Sequence, residues 1–178
     1  DNPSFKEGFW TAMEPDLALR KVLFEMCGGK GNFQGESDGT WTVGFRGLPI
    51  SDLSPLKGTP IGHLDLNGTD VSDLTPLEGM KLRTLAMSGT KVTDLTPLKG
   101  LPLGGLGLHG CPEGIDLSPL AEITTLREVL LPPKPRNLEA LRALTNLERI
   151  SFDADDRGRI AQTAAEFWLG VRPATLQA

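Results

Sequence analysis

Asp52-Leu53-Ser54-Pro55-Leu56, Asp73-Leu74-Thr75-Pro76-Leu77, Asp94-Leu95-Thr96-Pro97-Leu98 and Asp116-Leu117-Ser118-Pro119-Leu120 are four copies of one phrase. The first three start 21 residues apart (73 − 52 and 94 − 73), and the fourth starts 22 further on. Self-similarity at this period is the signature of a solenoid, in which each short unit buries its apolar face against the next. The question of function therefore moves from chemistry to the surface that such a stack presents.

Stacking the copies brings a second set of positions into line. Val43 and Phe45 align with Leu64 and Leu66, Leu85 and Met87, and Leu106 and Leu108; after a small insertion Val129 and Leu131 follow, then Ile150 and Phe152. Each pair is an i, i+2 apolar alternation, which predicts a strand with those side chains inward. One strand per unit predicts six short parallel strands in one curved sheet, centred on residues 44, 65, 86, 107, 130 and 151. A further apolar residue recurs upstream of each later strand at Ile61, Leu82, Leu103, Leu126 and Leu147. At the corner after the strand stand Thr69, Thr90 and Cys111, read as small buried groups that satisfy backbone there.

The repeated phrase supplies the return path. Ser or Thr suits a helix N-cap, Pro suits the first helical position, and Gly58, Gly79 and Gly100 permit a left-handed exit. Each unit thus reads as strand, corner, one helical turn and next strand. The aspartates 52, 73, 94 and 116 form a column spaced by about 5 Å, the strand separation. A carboxylate column can suggest calcium, but aspartate before a turn more simply bonds its own backbone, so no metal is assigned.

The combined pattern Leu-x-x-Leu-x-Leu-x-x-Thr over residues 40–153 resembles the bacterial leucine-rich repeats of internalin-like proteins. The resemblance implies an α/β leucine-rich repeat solenoid: a curved parallel β-sheet, short helical turns on the convex side and a helical N-terminal cap. Arg149-Ile150-Ser151-Phe152 followed by Thr163-Ala164-Ala165-Glu166-Phe167-Trp168 is similar to the tails of planctomycete-type repeat proteins, some of which carry a serine/threonine protein kinase domain. That likeness implies a larger parent chain rather than an activity. No Gly-rich loop with Val-Ala-x-Lys, no His-Arg-Asp and no Asp-Phe-Gly occurs. The later units depart from the pattern: Pro112-Glu113-Gly114 inserts a residue, Pro132-Pro133-Lys134-Pro135 replaces a corner, and residues 137–144 predict a longer helix in place of the Ser/Thr-Pro turn.

Three segments follow: residues 1–39 as a helical cap and loop, 40–153 as the repeats, and 154–178 as a C-terminal cap and tail. Leu19, Val22, Leu23 and Met26 mark one face of a helix opened by Pro15 and closed by Gly28-Gly29, with Phe5, Phe9 and Trp10 expected on the same end. Residues 30–39, rich in Gly, Asn, Ser and Asp, read as a loop. Thr163 and Glu166 have capping-box spacing ahead of Phe167 and Trp168, which are expected to cover the last repeat. The chain begins at Asp1, which suggests a piece of a longer protein.

With 178 residues, 39% hydrophobic content and a net charge of −5, the chain can bury a core but offers no basic face for nucleic acid. No apolar run approaches the ~18 residues of a membrane span. Two cysteines cannot form a disulfide framework, and nothing in the residues assigns a compartment.

Few residues are candidates for chemistry. Gly28-Gly29-Lys30-Gly31 lacks the spacing of a phosphate-binding loop. Asn67-Gly68-Thr69 fits a glycosylation sequon but with an inward Thr69. His63 and His109 sit two strands (~10 Å) and four residues (~13 Å) apart, too far for a shared metal or proton-transfer role. The reading is therefore not an enzyme, with no cofactor. What remains is the concave face, built from the outward strand positions, including Thr42, Gly44, Ala86, Ser88, Gly105, Leu130, Pro132, Ser151 and Asp153. Its expected partner-binding residues are Arg46, His63, Asp65, Asn67, Thr84, Gly107, His109, Glu128 and Arg149. The expectation is a protein–protein interaction module. The alternative is a structural or regulatory repeat domain of a larger chain such as a kinase, with no ligand of its own.

Overall fold

The computed structural model describes residues 14–154, 160 and 162–171; Phe5, Phe9 and Trp10 lie outside them. Helix α1, Glu14–Cys27, opens the described chain. Strands β1 (Asn32–Gly35), β2 (Trp41–Gly44), β3 (Ile61–Asp65), β4 (Thr84–Ala86), β5 (Gly105–Gly107), β6 (Glu128–Leu130) and β7 (Arg149–Ser151) follow, and helix α2, Ala164–Gly170, closes it. The strands form one sheet in chain order. From β2 to β7 every neighbour is parallel, with Leu64, Leu85, Leu106, Val129 and Ile150 in register. The six predicted parallel strands are all present.

The core follows the repeat. Leu64, Leu85, Leu106, Val129 and Ile150 are buried, as are Phe45, Leu66, Met87, Leu108 and Leu131 one step further. Phe152 departs from the alignment, being 39% exposed. Phe152 instead meets the ring of Phe167, 5.7 Å away. At the corners Thr69 Oγ1 donates to the Leu66 carbonyl at 2.7 Å and Thr90 Oγ1 to that of Met87 at 2.8 Å. Cys111 takes the same place and donates its thiol to the Met87 carbonyl at 3.1 Å. The Leu66 and Met87 carbonyls also accept the Thr69 and Thr90 backbone N–H groups, and the buried hydroxyls, left without a partner, would carry a desolvation penalty of ~1–3 kcal/mol.

The return turns differ in detail from the expected capped helices. Ser54–Leu56, Thr75–Leu77 and Thr96–Leu98 are three-residue 3-10 turns, and no side chain caps them at the residue before. The aspartate orders the turn instead. Asp52, Asp73, Asp94 and Asp116 each accept, through Oδ1, the backbone N–H two residues on, at 2.8 Å. A single 3-10 turn closes on its own i→i+3 bond, so it leaves no role for a Ser or Thr cap, and the aspartate fixes the approach to the turn. Gly58, Gly79 and Gly100 leave with φ near +70°. In the last unit Asn137, 21 residues after Asp116, takes the aspartate's place with φ +56°. Its Nδ2 donates to Asp116 Oδ1 at 2.8 Å. The expected longer helix there is a six-residue 3-10 segment, Leu138–Ala143.

Both ends of the sheet are closed by chain running the other way. Residues 32–35, read as loop, form β1 antiparallel to β2, pairing Asn32 with Gly44 and Gly35 with Trp41. Their composition has little strand preference. The unpaired edge of β2 imposes the conformation, and Phe33 alone packs inward, edge-on to Phe45 at 6.0 Å. Leu19 and Leu23 of α1 are buried over this end, with Met26 packed beside them. Trp41 is buried and faces Arg20, whose guanidinium lies 4.9 Å from the ring. At the far end Thr163 bridges Arg149 antiparallel, and the Ala164 N–H donates to the Glu148 carbonyl at 2.9 Å. The capping box is formed: Thr163 N donates to Glu166 Oε2 at 3.0 Å, and Glu166 N to Thr163 Oγ1 at 3.3 Å. Phe167 is buried, and Trp168 is held edge-on to it at 5.1 Å under the Arg142 guanidinium.

This packing predicts a contrast between the two sides of the sheet. Leu85→Ala and Leu106→Ala remove mid-solenoid side chains that are 0% and 3% exposed, and each is expected to destabilise by ~2–5 kcal/mol. Thr84→Ala, at an exposed position, should stay within about 0.5 kcal/mol. Urea melts of the three variants check this. The aspartate column predicts an acid limb. Hydrogen bonds from Ser54, Thr75 and Thr96 lower the carboxyl pKa of Asp52, Asp73 and Asp94. Asp116 is lowered from 3.8 to about 2, first by Asn137 and then by Ser118. A folded pKa below the unfolded one stabilises above the unfolded value and loses that contribution as pH falls through the folded value. The thermal midpoint should therefore hold down to about pH 4 and decline towards pH 2, and Asp116→Asn should make that decline shallower.

Candidate functional site

The sheet register assembles the concave face. His63, Thr84, Gly105, Glu128 and Arg149 lie side by side across five strands, and Asp65, Ala86, Gly107, Leu130 and Ser151 form the next row. Between them runs an open groove of about 440 Å³. Ala86, Ser88, Gly105 and Gly107 form its floor. Arg46 and Asn67 stand at one end, and Glu128, Leu130, Arg149 and Ile160 at the other. Six of the nine residues expected to bind a partner, Arg46, Asn67, Thr84, Gly107, Glu128 and Arg149, therefore share one groove. His63, Asp65 and His109 lie outside its lining.

Several of these side chains already have partners. Arg46 donates to Asp65 Oδ2 from Nε at 3.0 Å, with Nη2 at 2.9 Å, a forked ion pair. Asp65 Oδ1 also accepts the Asn67 N–H at 2.9 Å, and Asn67 Oδ1 accepts the Ser88 N–H at 2.7 Å. Asp65 and Asn67 thus brace the strand exits, and a ligand meets what is left: the outer edge of Arg46 and the Asn67 amide N–H groups. Arg149 lies 3.8 Å from Glu128 and donates to the Ile160 carbonyl at 3.1 Å. His109 Nδ1 is 2.9 Å from the Phe152 carbonyl, which spans 43 residues and ties the end of β5 to the exit of β7. Pro132, expected to point outward, is buried. It sits between the strand ends that this bond draws together.

Each arginine of the groove is matched by a carboxylate, so the face is nearly neutral. Arg83 and Asp38 pair beside it. Side-chain hydrogen bonds from Thr40 and Arg83 hold the Asp38 carboxyl well below the usual carboxylate range. Among the described residues, no His, Cys or Ser faces a carboxylate in a nucleophile–base arrangement along this face, and its one charged network is the set of ion pairs above. The expected binding set leaves out the groove residues Leu85, Ala86, Ser88, Gly105, Leu106, Leu130 and Ile160. Leu130 stood on the outward row, but no strand pattern contains Ile160. Its one signal is a lone large apolar side chain after the charged run Asp153–Arg159.

No protein-family model matches the chain, and no curated protein matches it. Among solved structures it is similar to an internalin of Listeria monocytogenes strain 4b F2365, at 26% identity and a TM-score of 0.54, over 57% of this chain and 31% of that one. It is also similar to internalin C2 of the same strain, at 28% identity and a TM-score of 0.46, over 56% of this chain and 55% of that one. The chain spans about a third of the first internalin's length. The fold is an internalin-like leucine-rich repeat solenoid, a parallel sheet of short strands alternating with 3-10 turns.

The groove floor can be tested for room. A Cβ at Gly105 would lie 3.5 Å from Thr84 Cγ2, an ordinary contact, whereas one at Gly107 would lie 3.3 Å from Ser88 Oγ and require that hydroxyl to shift. Gly89 sits at φ +70°, where any side chain is strained. Gly105→Trp should therefore melt in urea within about 0.5 kcal/mol of the parent. Gly89→Trp should lose more than about 1 kcal/mol.

Proposed function

We propose that this chain is a non-catalytic interaction module that receives a protein partner along the concave groove. The internalin-like fold is commonly protein-binding and typically non-catalytic, and solenoids of this kind offer their concave sheet as the binding surface. The observation that carries the reading is the groove itself. Its floor of Ala86, Ser88, Gly105 and Gly107 lets a partner's main chain approach closely, while Arg46, Thr84, Glu128 and Arg149 stand along its margins to fix orientation. Groove arginines matched by carboxylates favour recognition by shape and exchange of hydrogen bonds over capture by net charge. His63, Asp65 and His109 serve this surface from outside the groove.

A second reading keeps the domain as a structural or regulatory spacer in a larger chain, such as a serine/threonine protein kinase. The bare floor favours it, because Trp, Tyr and Arg make most binding hot spots and the groove supplies only the two arginines. One experiment separates the readings. The purified domain is used to retrieve partners from a bacterial lysate, beside Gly105→Trp, which fills the groove, and Glu78→Lys on the exposed convex turn. The first reading expects a partner held by the parent and by Glu78→Lys, with at least tenfold weaker affinity for Gly105→Trp. A partner bound equally well by all three lies off this face, and absence of any partner supports the spacer.

A further inference from the structure

We infer that the groove receives an extended segment of a partner protein that presents an acidic side chain to Arg46 and Asn67. About six residues away, the same segment presents a large apolar side chain to Leu130 and Ile160. The inference rests on the interaction-module reading and specifies what such a partner must carry. What Arg46 and Asn67 still offer is donors. A guanidinium has five N–H groups, and Arg46 directs two of them at Asp65 Oδ2, from Nε and Nη2. Its Nη1–Nη2 edge stays open on a side chain that is 70% exposed. Asp65 Oδ1 is taken by the Asn67 backbone N–H, and Asn67 Oδ1 by the Ser88 N–H. Asn67 therefore has its side-chain amide N–H groups to give. The two residues are neighbours, since the Gly47 N–H donates to the Asn67 carbonyl at 2.8 Å. A carboxylate complements this pair, because it accepts without donating and matches the planar fork of an arginine. Its single charge also suits a site where Asp65 already offsets Arg46.

The other end of the groove has a different chemistry. Leu130 and Ile160 line it there, half-buried and buried. The charges beside them are already engaged: Glu128 lies 3.8 Å from Arg149, and Arg149 donates to the Ile160 carbonyl. An apolar side chain laid on Leu130 removes apolar surface from water on both partners. The sheet sets the spacing between the two ends. Leu130 is in register with Gly107, Ala86, Asp65 and Gly44, and Arg46 lies two residues past Gly44. Four strand separations make ~19 Å, and two residues along a strand ~7 Å at right angles, so the ends are ~20 Å apart. An extended chain covers that span in about six residues. Spread over this length, a groove of about 440 Å³ is narrower than a helix, which is ~10–12 Å across. The strands beneath are paired on both sides, so the segment cannot join the ladder. Recognition falls to its end side chains, while Ala86 and Gly107 leave room for its main chain.

Selection of phage-displayed random peptides, about ten residues long, on the full chain tests this. Enriched peptides should carry Asp or Glu, with Leu, Ile, Met or Phe about six residues away. Changing that acid to Asn or Gln should weaken binding about tenfold or more. Arg46→Ala removes the donors and frees Asp65 Oδ2. Selection on that variant should lose the acid, favour Lys or Arg in its place and keep the apolar residue. Leu130→Thr should do the reverse, keeping the acid and relaxing the apolar position. Urea melts of both variants check that they fold. Enriched peptides without an acid at that spacing, an acid preference that survives Arg46→Ala, or no enrichment at all overturns the inference. Gly105→Trp separates it from the reading beneath it. Peptides lost on Gly105→Trp but indifferent to Arg46 leave the groove as the binding face and sink the acidic–apolar pairing alone. Peptides that bind Gly105→Trp as tightly as the parent lie off this face and count against both.

Discussion

A strand of three residues cannot bury its own leucine. Leu85 and Leu106 are shielded because the units before and after them present the same shape in the same register. That mutual dependence sets the rest of the molecule. Each unit must return to its starting point in 21 or 22 residues, so its convex side shrinks to one 3-10 turn. Each turn is aligned by an aspartate, or by Asn137 in the last unit, and the corners hold a small buried residue, Thr69, Thr90 or Cys111, whose own polar group finds a backbone carbonyl. Ion pairs join neighbouring units at the same interval, as in Lys91 with Asp70 at 2.6 Å and Lys134 with Glu113 at 3.1 Å. Both are exposed, so each adds at most about 1 kcal/mol, and apolar stacking outweighs them.

The legible features are those that recur. Strand positions, corner threonines and the aspartate column are each written several times, and repetition separates them from chance. What occurs once was harder to read. β1 has no strand-like composition and exists because β2 needs a partner. Phe152 fits the inward alignment by spacing, but it stands in the last unit, where the C-terminal helix offers it Phe167 as a neighbour. Ser and Thr ahead of Pro resemble helix caps, yet a turn of three residues has no place for one. At the groove, the outward rows were legible from the two-residue period. The contribution of Ile160 was not, because it arrives from beyond the last strand, where no period applies.

The concave surface combines two kinds of side chain. Asp65, Asn67 and His109 are engaged in holding strand exits together, and their polar atoms are largely committed. Arg46, Thr84, Glu128 and Arg149 border open space and keep donors and acceptors to spare. A solenoid built from near-identical units would present a uniform face. Here the contrast between a glycine floor and charged margins arises because outward positions carry no packing constraint and can vary from unit to unit.

The antiparallel returns at the two ends have a consequence for how such a molecule can change in length. β1 and the Thr163 bridge occupy the hydrogen-bonding groups that an incoming strand would need. A parallel unit therefore cannot be added directly against β2, whose edge β1 already holds, and the edge of β7 is partly taken at Arg149. New units can enter between the existing ones from β3 to β5, where the 21-residue repeat and the three-residue 3-10 turns recur and an insert meets its own likeness on both sides. The ends act as fixed bookends, and the span between them is the part of the molecule that duplication or deletion of whole units can lengthen or shorten, widening or narrowing the concave face as it does so.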